Sequence, residues 1–252
     1  MSLNVDYDCD YTNIKKTQMQ TQLAIDLFTE IIGVCPIKAA ELAANGFSTI
    51  QQLREKPTSL NKTQRIGLQY YEQLLQRIPR QEITQYSILI EACCACTSSD
   101  LRFDIVGSYR RGAITSDVID VIITSSIPDH YYNLIDLLIT KKIILVTLSR
   151  EQLKCIAISQ LSTTHIPRCI DFVFTPVKEY PFAILYFTGS TKFNTFFHSV
   201  ANEQGYSMNE HAITNTITGK QINDTIFETE QDIFHFVGLN YIDPIKREEY
   251  IY

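Results

Sequence analysis

The segment 103–124 constrains the fold of this chain more than any other part of its sequence. Two short apolar runs flank the turn Gly107-Ser108-Tyr109-Arg110-Arg111-Gly112, and Asp117 and Asp120 stand just before the second run. Glycines let a ligand approach the backbone, arginines match the geometry of phosphate groups, and carboxylates at the rigid start of a strand are ligands for Mg²⁺. The pattern therefore predicts a strand, a phosphate-binding turn and a second strand that begins at a metal site.

These residues also allow a plainer interpretation. A Gly-Ser-x-Arg-Arg-Gly segment can be only a basic turn, and an aspartate at the edge of a strand is usually solvated. Short motifs carry a high risk of false matches. The rest of the chain has to decide between the two interpretations.

The composition is that of an ordinary globular protein. The 252 residues are 45% hydrophobic and 20% charged, enough for one well-buried core or for two or three small subdomains. No apolar run approaches the ~18 residues that span a bilayer, and the N-terminus lacks a basic, apolar signal pattern. We therefore expect an intracellular protein that does not engage membranes.

The net charge bears on nucleic-acid binding, and the cysteine spacing bears on the state of the thiols. The net charge of −6 argues against a protein that coats nucleic acid, although a local basic patch at 62–80 remains compatible with DNA binding. Among the seven cysteines, Cys93, Cys94 and Cys96 lie together in a spacing that suits neither a disulfide framework nor a zinc site. We expect reduced, partly buried thiols.

The N-terminal part of the sequence predicts a short leader followed by helices. Residues 1–21 are polar and lack an apolar period, which is typical of a flexible leader. A helix is predicted from Leu23 and another from Ile37 to Ala44, with Asn45-Gly46 as its C-cap and Gly33-Val34-Cys35-Pro36 between the two helices. This pattern looks like a helix-hairpin-helix, whose turn holds a DNA phosphate through backbone N–H groups, but an ordinary helix pair gives the same pattern.

The remainder of the chain alternates helices with short apolar strands. The predicted helices are one capped by Asn61, then 81–96, 131–140, 192–202 with Ser190 as its N-cap, and one that begins at Glu230. The predicted strands, besides the two of the central segment, are 143–148, 153–158 and 170–174.

Polar and aromatic residues of the C-terminal half add candidates for a site. Asp171 stands alone in an apolar strand. An unpaired buried carboxylate is energetically costly, so a metal shared with Asp120 would stabilise Asp171. The alternative is that Asp171 lies on an edge strand and faces water. Tyr186 and Phe187 are either core aromatics or a platform for a sugar or base, and Asn194 lies on the first turn of a helix, where it can face a ligand.

Taken together, these segments resemble the family X DNA polymerases of the polymerase beta and lambda branch, from about Leu23 to the C-terminus. The blocks that carry the resemblance are 47–54, 64–68, 77–80, 107–113, 120–124, 170–171, 185–190, 193–194, 209–211 and the tail that follows Glu230. So many blocks in the same order make a chance similarity implausible.

The resemblance implies an α+β fold built around a polymerase beta-like nucleotidyltransferase palm. Its expected divisions are a flexible leader at 1–21, a helical DNA-binding (helix-hairpin-helix) subdomain at 22–79, the palm at 80–177 and a C-terminal α/β nucleotide-selecting subdomain at 178–252. No counterpart of the family's N-terminal lyase domain is expected, since only a short leader precedes the hairpin.

The resemblance also implies roles for single residues. Asp120 and Asp171 match two of the family's three metal-binding aspartates and are the expected catalytic residues, with Mg²⁺ or Mn²⁺ as cofactor. Two metals would clamp the primer 3′-oxygen and the triphosphate. The expected nucleotide-binding residues are Ser108, Arg111, Tyr186, Phe187, Gly189 and Asn194. The expected DNA-binding residues are Gly33, Val34, Cys35, Lys38, Arg168 and His198.

The metal motif departs from the family's pattern. The family has Gly-Asp-x-Asp, and an ungapped alignment puts Asp117 at the glycine and Val118 at the first aspartate. Asp117 and Asp120, three apart, would not converge in a regular strand, so Asp117 joins the metals only if a bulge re-aims it. Elsewhere, Cys169 stands at an arginine expected to meet the primer end, and His198 at an arginine that contacts the template.

We predict a template-directed DNA polymerase that adds deoxynucleotides to a primer 3′-OH at short gaps or nicks in duplex DNA, in repair or end joining. It is expected to be a monomer of the nucleus. The alternative is a catalytically impaired, DNA-binding relative, because Val118 cannot bind a metal. A nucleotidyltransferase for another acceptor is less favoured, because the hairpin and the selecting subdomain serve duplex DNA.

Overall fold

The computed structural model describes residues 7–248, with side chains from Lys15 onward. The chain divides into two compact units, Met1–Leu75 and Gln76–Tyr252. The predicted end of the helical subdomain, at residue 79, lies four residues beyond this division.

The first unit is helical throughout its described residues. Its α-helices are α1 (Tyr7–Thr29), α2 (Pro36–Ala44), α3 (Ile50–Glu55), α4 (Lys62–Gln69) and α5 (Tyr71–Leu74), with a 3₁₀ turn at Pro57–Ser59. Phe28, Leu42 and Leu53 are fully buried at the centre of one apolar cluster. Each helix is too short or too polar to be stable alone, so the shared cluster stabilises them together.

The predicted leader is wrong for residues 7–21, which form the first part of α1. The side chains from Lys15 to Leu23 are exposed, so this part of the helix buries no apolar face. A search for apolar periodicity misses such a segment, because it is a polar extension of a helix whose packed part begins only at Ala24. Residues 1–6 of the predicted leader lie outside the described residues.

The turn between α1 and α2 has the glycine-dependent backbone that its sequence suggested. Gly33 adopts φ +88°, and Gln64 of α4 donates a hydrogen bond to its carbonyl oxygen at 3.1 Å. α4 begins at the predicted cap Asn61, whose side chain accepts from the backbone N–H of Gln64 in a capping box. A Cβ on Gly67 would lie 2.2 Å from the carbonyl oxygen of Ile32, so glycine is required where α4 meets the turn.

The second unit combines strands and helices. Its strands are β1 (Ile78–Pro79), β2 (Arg102–Ile105), β3 (Thr115–Ser116), β4 (Ile119–Thr124), β5 (Ile144–Arg150), β6 (Lys154–Ser159), β7 (Arg168–Phe174), β8 (Tyr206–Met208) and β9 (Ile213–Asn215). Its helices are α6 (Arg80–Thr97), α7 (Gly107–Arg110), α8 (Asp129–Thr140), α9 (Tyr180–Thr188), α10 (Thr191–Glu203) and α11 (Glu230–Phe236), with a 3₁₀ turn at Pro244–Lys246.

Within the described residues, five of these strands form a mixed sheet in the order β2-β4-β7-β6-β5. β4 and β7 run parallel, and the other neighbours are antiparallel. α6 and α8 pack on one face of the sheet in the largest apolar cluster, while Ile122 on the other face packs against Ala183 and Ile184 of α9. β4 is therefore covered on both faces, which explains its nearly continuous hydrophobic sequence.

A separate aromatic cluster organises the C-terminal part of the second unit. Phe193 and Phe197 of α10 and Phe234 of α11 are fully buried in it, with ring centroids 5.0–6.0 Å apart. Ser190 caps α10 as predicted, through a hydrogen bond from the backbone N–H of Phe193. The β8–β9 hairpin was not predicted, because its strands of three residues are too short to show an alternating pattern.

None of the described helices has the length and hydropathy needed to cross a bilayer.

Candidate active site

The two predicted catalytic carboxylates lie side by side on neighbouring strands. β4 and β7 run parallel, and their register pairs Asp120 directly with Asp171. Residues opposite each other in a sheet point to the same face, so both carboxylates face the same space. Burial, together with the negative charge of Asp171, raises the pKa of Asp120 to about 6. Two acids held this close favour a cation between them.

The turn before β4 is shaped to receive Asp120. Gly107 adopts φ +58°, and a Cβ added to it would lie 2.3 Å from Oδ2 of Asp120. The backbone N–H of Val106 also donates to the carbonyl oxygen of Asp120 at 2.9 Å. The predicted glycine-rich turn is thus a short helix, α7, packed directly against the carboxylate.

Lys154 is a member of the site that the sequence analysis missed. Its Nζ lies 3.6 Å from Oδ2 of Asp171, across from β6 to β7. Burial raises the pKa of Asp171, and the lysine opposes that shift. The charged residue at the start of an otherwise apolar strand was the available signal, but only the strand order places it beside Asp171. The thiol of Cys169 lies 4.0 Å from Oδ1 of the same carboxylate.

The metal role considered for Asp117 is not supported by its position. Asp117 and Val118 form a break between β3 and β4, and the carboxylate of Asp117 pairs with Arg77 at 2.6 Å from Oδ1 to Nη1. The side chain of Asp117 is 78% exposed, and the same arginine donates to Oγ1 of Thr115 at 2.7 Å. The break does re-aim Asp117, but toward Arg77 and not toward the other two aspartates.

The donor set fits one divalent cation and not the family's full complement. Asp120 and Asp171 are hard oxygen ligands, and Mg²⁺ is commonly held by one or two carboxylates together with substrate phosphates. Among the residues that the structure describes, no three His, Cys, Asp or Glu side chains converge to hold a metal. Val118, which stands at the first aspartate of the family's motif, supplies no ligand.

The predicted nucleotide-binding residues line one cavity. Its volume is about 550 Å³. Asp120 lies at its wall with the six residues predicted to contact the nucleotide, which are Ser108, Arg111, Tyr186, Phe187, Gly189 and Asn194. Asp117, Val118, Lys192 and Glu248 also line it. A nucleoside triphosphate is of the size that such a cavity accommodates.

Arg111 crosses the cavity wall toward the C-terminal part of the unit. Its Nη1 donates to the carbonyl oxygen of Thr188 at 2.7 Å, and its Nε pairs with the carboxylate of Glu248. Ser108, one turn earlier on α7, donates its hydroxyl to Oγ of Ser116 at 2.7 Å. Both side chains therefore have protein partners in this structure that an anionic ligand would have to replace.

The neighbouring Arg110 has a structural task. Its guanidinium makes two hydrogen bonds to the carboxylate of Glu230, at 2.7 and 3.1 Å, and one to Oγ1 of Thr188. Arg247, which is fully buried, approaches the same carboxylate at 3.2 Å, and Tyr241 donates to it at 2.7 Å. Burial opposes ionisation of Glu230, but the hydrogen bonds from Arg110 and the charge of Arg247 hold its pKa below the ordinary value.

The aromatic segment forms the opposite wall. Tyr186 and Phe187 lie at the end of α9 with their rings edge to face at 5.2 Å, and both are partly exposed to the cavity. The side-chain amide of Asn194 donates to the carbonyl oxygen of Tyr186 at 2.8 Å. His198 stacks edge-on against Tyr186, and burial lowers the pKa of His198, so it lacks the permanent charge of an arginine at neutral pH.

The predicted DNA contacts in the first unit lie at and after the hairpin turn. Val34 is buried, whereas Cys35 is exposed and precedes α2 without a side-chain cap. Pro36 has no N–H group, so the N–H groups of Ile37 and Lys38 are the ones that a phosphate could use at this end of α2, as the helix-hairpin-helix prediction requires. Lys38 is paired with Glu41 at 2.7 Å, so a phosphate would have to compete with that carboxylate.

The prediction that Arg168 contacts DNA is wrong. Its side chain is 5% exposed and forms a two-fold ion pair with Glu82, at 2.8 and 2.7 Å, and also donates to the carbonyl oxygen of Gln76. Arg168 alternates with Cys169 and Asp171 along β7, which places it on the core side of the sheet. The arginine therefore anchors α6 to β7 and cannot reach a bound duplex.

Three family models match the chain in sequence order. They are the fingers domain of DNA polymerase lambda over residues 26–75, the DNA polymerase beta palm over residues 77–177 and the DNA polymerase beta thumb over residues 183–248. The palm model covers the five-stranded sheet with its two aspartates, and the thumb model covers the aromatic cluster and Glu248.

Curated relatives match over most of the chain. DNA polymerase lambda of Rattus norvegicus is 29% identical over 245 residues, which covers 89% of this chain and 42% of that protein. DNA polymerase lambda of Arabidopsis thaliana is 26% identical over 245 residues, covering 88% of this chain and 46% of that protein. The chain thus spans less than half the length of these relatives. With three consecutive domain models and these relatives in agreement, the predicted family and α+β fold are confirmed: the chain belongs to the family X DNA polymerases of the beta and lambda branch.

Proposed function

We propose that this chain is a template-directed DNA polymerase that adds deoxynucleotides to a primer 3′-OH at short gaps or nicks, in DNA repair or end joining. The observation that carries the proposal is the register pair Asp120 and Asp171, in which Asp120 lies against the glycine turn at Gly107 and lines the same cavity as Ser108 and Arg111. By analogy with the lambda relatives, the proposed site of action is the nucleus.

Different residues of the cavity would contact different parts of the nucleotide. Ser108 and Arg111 would hold the triphosphate, because a hydroxyl and a guanidinium match phosphate oxygens. Tyr186 and Phe187 would pack against the sugar, where they would disfavour a ribose. Asn194, held by Tyr186, would face the base. Positioning of this kind is the main part of catalysis in phosphoryl transfer.

Asp120 and Asp171 are the residues that would hold a divalent cation. Mg²⁺ bound there would neutralise charge on the triphosphate and make the primer hydroxyl easier to deprotonate. Lys154 would keep Asp171 ionised, since its ammonium group lies 3.6 Å away. The burial that raises the pKa of Asp120 would at the same time strengthen its attraction for a cation.

A second candidate function rests on the ion pair of Asp117 with Arg77. With Val118 at the position of the first metal aspartate, the chain would keep DNA and nucleotide binding while polymerising slowly or not at all. The 2.6 Å pairing of Asp117 favours this candidate, because the carboxylate that could replace the missing ligand is already paired with Arg77.

The first experiment is single-nucleotide gap filling on a 5′-phosphorylated gapped duplex with Mg²⁺ and then Mn²⁺. We expect extension by the unaltered chain, loss of extension in Asp120→Ala and normal extension in Asp224→Ala, which removes an exposed carboxylate outside the cavity. Absence of extension with either metal, while gapped DNA still binds, would instead establish the impaired relative.

A double substitution separates the two functions further. Asp117→Gly combined with Val118→Asp recreates the family's ligand pattern and removes the pairing with Arg77. We expect gap filling to rise by about tenfold or more, since a further carboxylate would hold the metal more firmly and a bound metal supplies several kcal/mol of charge stabilisation. Asp117→Gly alone is the control. If the double variant gains nothing over that control, the missing aspartate does not limit the reaction.

A further inference from the structure

Arg111 makes a contact for which the proposed reaction has no use. Besides its hydrogen bond to the carbonyl oxygen of Thr188, its Nε pairs with the carboxylate of Glu248. Glu248 also lines the cavity that holds Ser108 and Asp120. A negative group therefore sits on the guanidinium that the triphosphate is proposed to bind.

The two partners differ in how firmly they are held. The side chain of Arg111 is only 14% exposed, whereas that of Glu248 is 54% exposed. Glu248 follows directly after Arg247, whose side chain is fully buried and whose Nε donates to the carbonyl oxygen of Ile242 at 3.0 Å. The backbone that carries Glu248 is thus anchored, while its carboxylate lies at the water boundary and can swing away.

The charges favour an exchange that depends on the incoming anion. A half-exposed carboxylate gains little from its ion pair, because water screens the interaction. An anion with several charges can reach both Arg111 and Ser108, and can displace the carboxylate. An inorganic phosphate, which can contact Arg111 alone, gains less from the site and meets the same competing carboxylate.

We propose that Glu248 is an internal competitor at the nucleotide site: its carboxylate occupies Arg111 as a phosphate would, so a triphosphate has to displace it in order to bind Arg111. The inference rests on the proposed function for its substrate class, deoxynucleoside triphosphates. It adds a second consequence, because a carboxylate that returns to Arg111 would promote release of the pyrophosphate product.

The test is equilibrium binding to the full chain in the absence of DNA. The probes are a deoxynucleoside triphosphate, inorganic tripolyphosphate and inorganic phosphate. The variants are Glu248→Gln and, as a matched control, Glu203→Gln, which removes an exposed carboxylate at the end of α10. For Glu248→Gln we expect tripolyphosphate to bind about threefold more tightly, and inorganic phosphate to gain by the same factor or by less.

The competing interpretation is that Glu248 only orients Arg111. In that case Glu248→Gln would bind tripolyphosphate more weakly than the unaltered chain, or equally well, and either result would overturn the inference. A thermal melt of each variant establishes that it is folded. Tripolyphosphate binding needs neither a primer nor turnover, so tighter binding in Glu248→Gln supports the inference even if gap filling fails.

Discussion

The carboxylate of Asp120 is a group whose ionisation opposes folding. Its folded-state pKa of about 6 lies above the ordinary value of 3.8, because of burial and the charge of Asp171. The folded protein therefore binds a proton more readily than the unfolded chain, and stability decreases as pH rises from about 4 through 6. The shift corresponds to about 3 kcal/mol at neutral pH.

Asp120→Asn should consequently stabilise the protein while abolishing gap filling. At pH 7.5 we expect a gain of up to about 3 kcal/mol in the free energy of unfolding, measured with urea, and little gain at pH 4, where the aspartate is protonated. Asp224→Asn, at an exposed position, serves as the control. A destabilised Asp120→Asn at neutral pH would mean that the carboxylate makes favourable contacts which outweigh its burial.

Position 107 requires glycine, because a Cβ there would lie 2.3 Å from Oδ2 of Asp120. Gly107→Ala should displace the carboxylate, and we expect gap filling to fall by about 100-fold, as a displacement on the order of 1 Å can cause. Gly205→Ala is the matched control, since Gly205 also has a positive φ of +83° but has open space around its Cβ position. Equal losses in both variants would show that backbone strain alone is responsible.

Among the secondary-structure elements, α7 and α11 are joined by the carboxylate of Glu230. The carboxylate is 4% exposed and accepts from Arg110 and Tyr241, with Arg247 at 3.2 Å. Removing its charge leaves two arginines without their counter-ion in a buried site, which is more damaging than loss of a surface pair.

Glu230→Gln should therefore destabilise the second unit by about 3–5 kcal/mol. Because the pKa of Glu230 is lowered in the folded state, its contribution is present above the pKa of the unfolded chain and is lost as the pH falls through the lower, folded-state value. The measurement is urea unfolding from pH 7 down to pH 3, with the exposed Glu228→Gln as control. A constant difference between the two variants over that range would contradict this assignment.

Local sequence signals predicted most elements of the fold, and pairings between distant elements explain what was missed. The caps at Asn61 and Ser190 and the apolar strands depend on neighbours in sequence, and they were predicted correctly. The pairing of Lys154 with Asp171 depends on the order of the strands, which no local pattern encodes. Arg168 lies two residues before the predicted strand 170–174, and only the earlier start of β7 shows that it alternates with Asp171 and faces the core.

For the molecule as a whole, the separate apolar clusters of its two units determine how it unfolds. Leu42 is fully buried in the cluster of the first unit, and Ile135 is fully buried in the largest cluster of the second. Apolar burial stabilises only the elements that share a cluster, so a cavity in one cluster should lower the stability of that unit first.

Leu42→Ala and Ile135→Ala together test this separation. Each should lower the free energy of unfolding of its own unit by about 2–5 kcal/mol. By amide hydrogen exchange, we expect Leu42→Ala to lose protection in residues 7–75 and to keep it in 76–248, with Ile135→Ala giving the reverse. Because the nucleotide cavity is built entirely from the second unit, Leu42→Ala should still bind a deoxynucleoside triphosphate while its binding to gapped DNA weakens. If either substitution removes protection from both ranges equally, the chain unfolds as one cooperative structure.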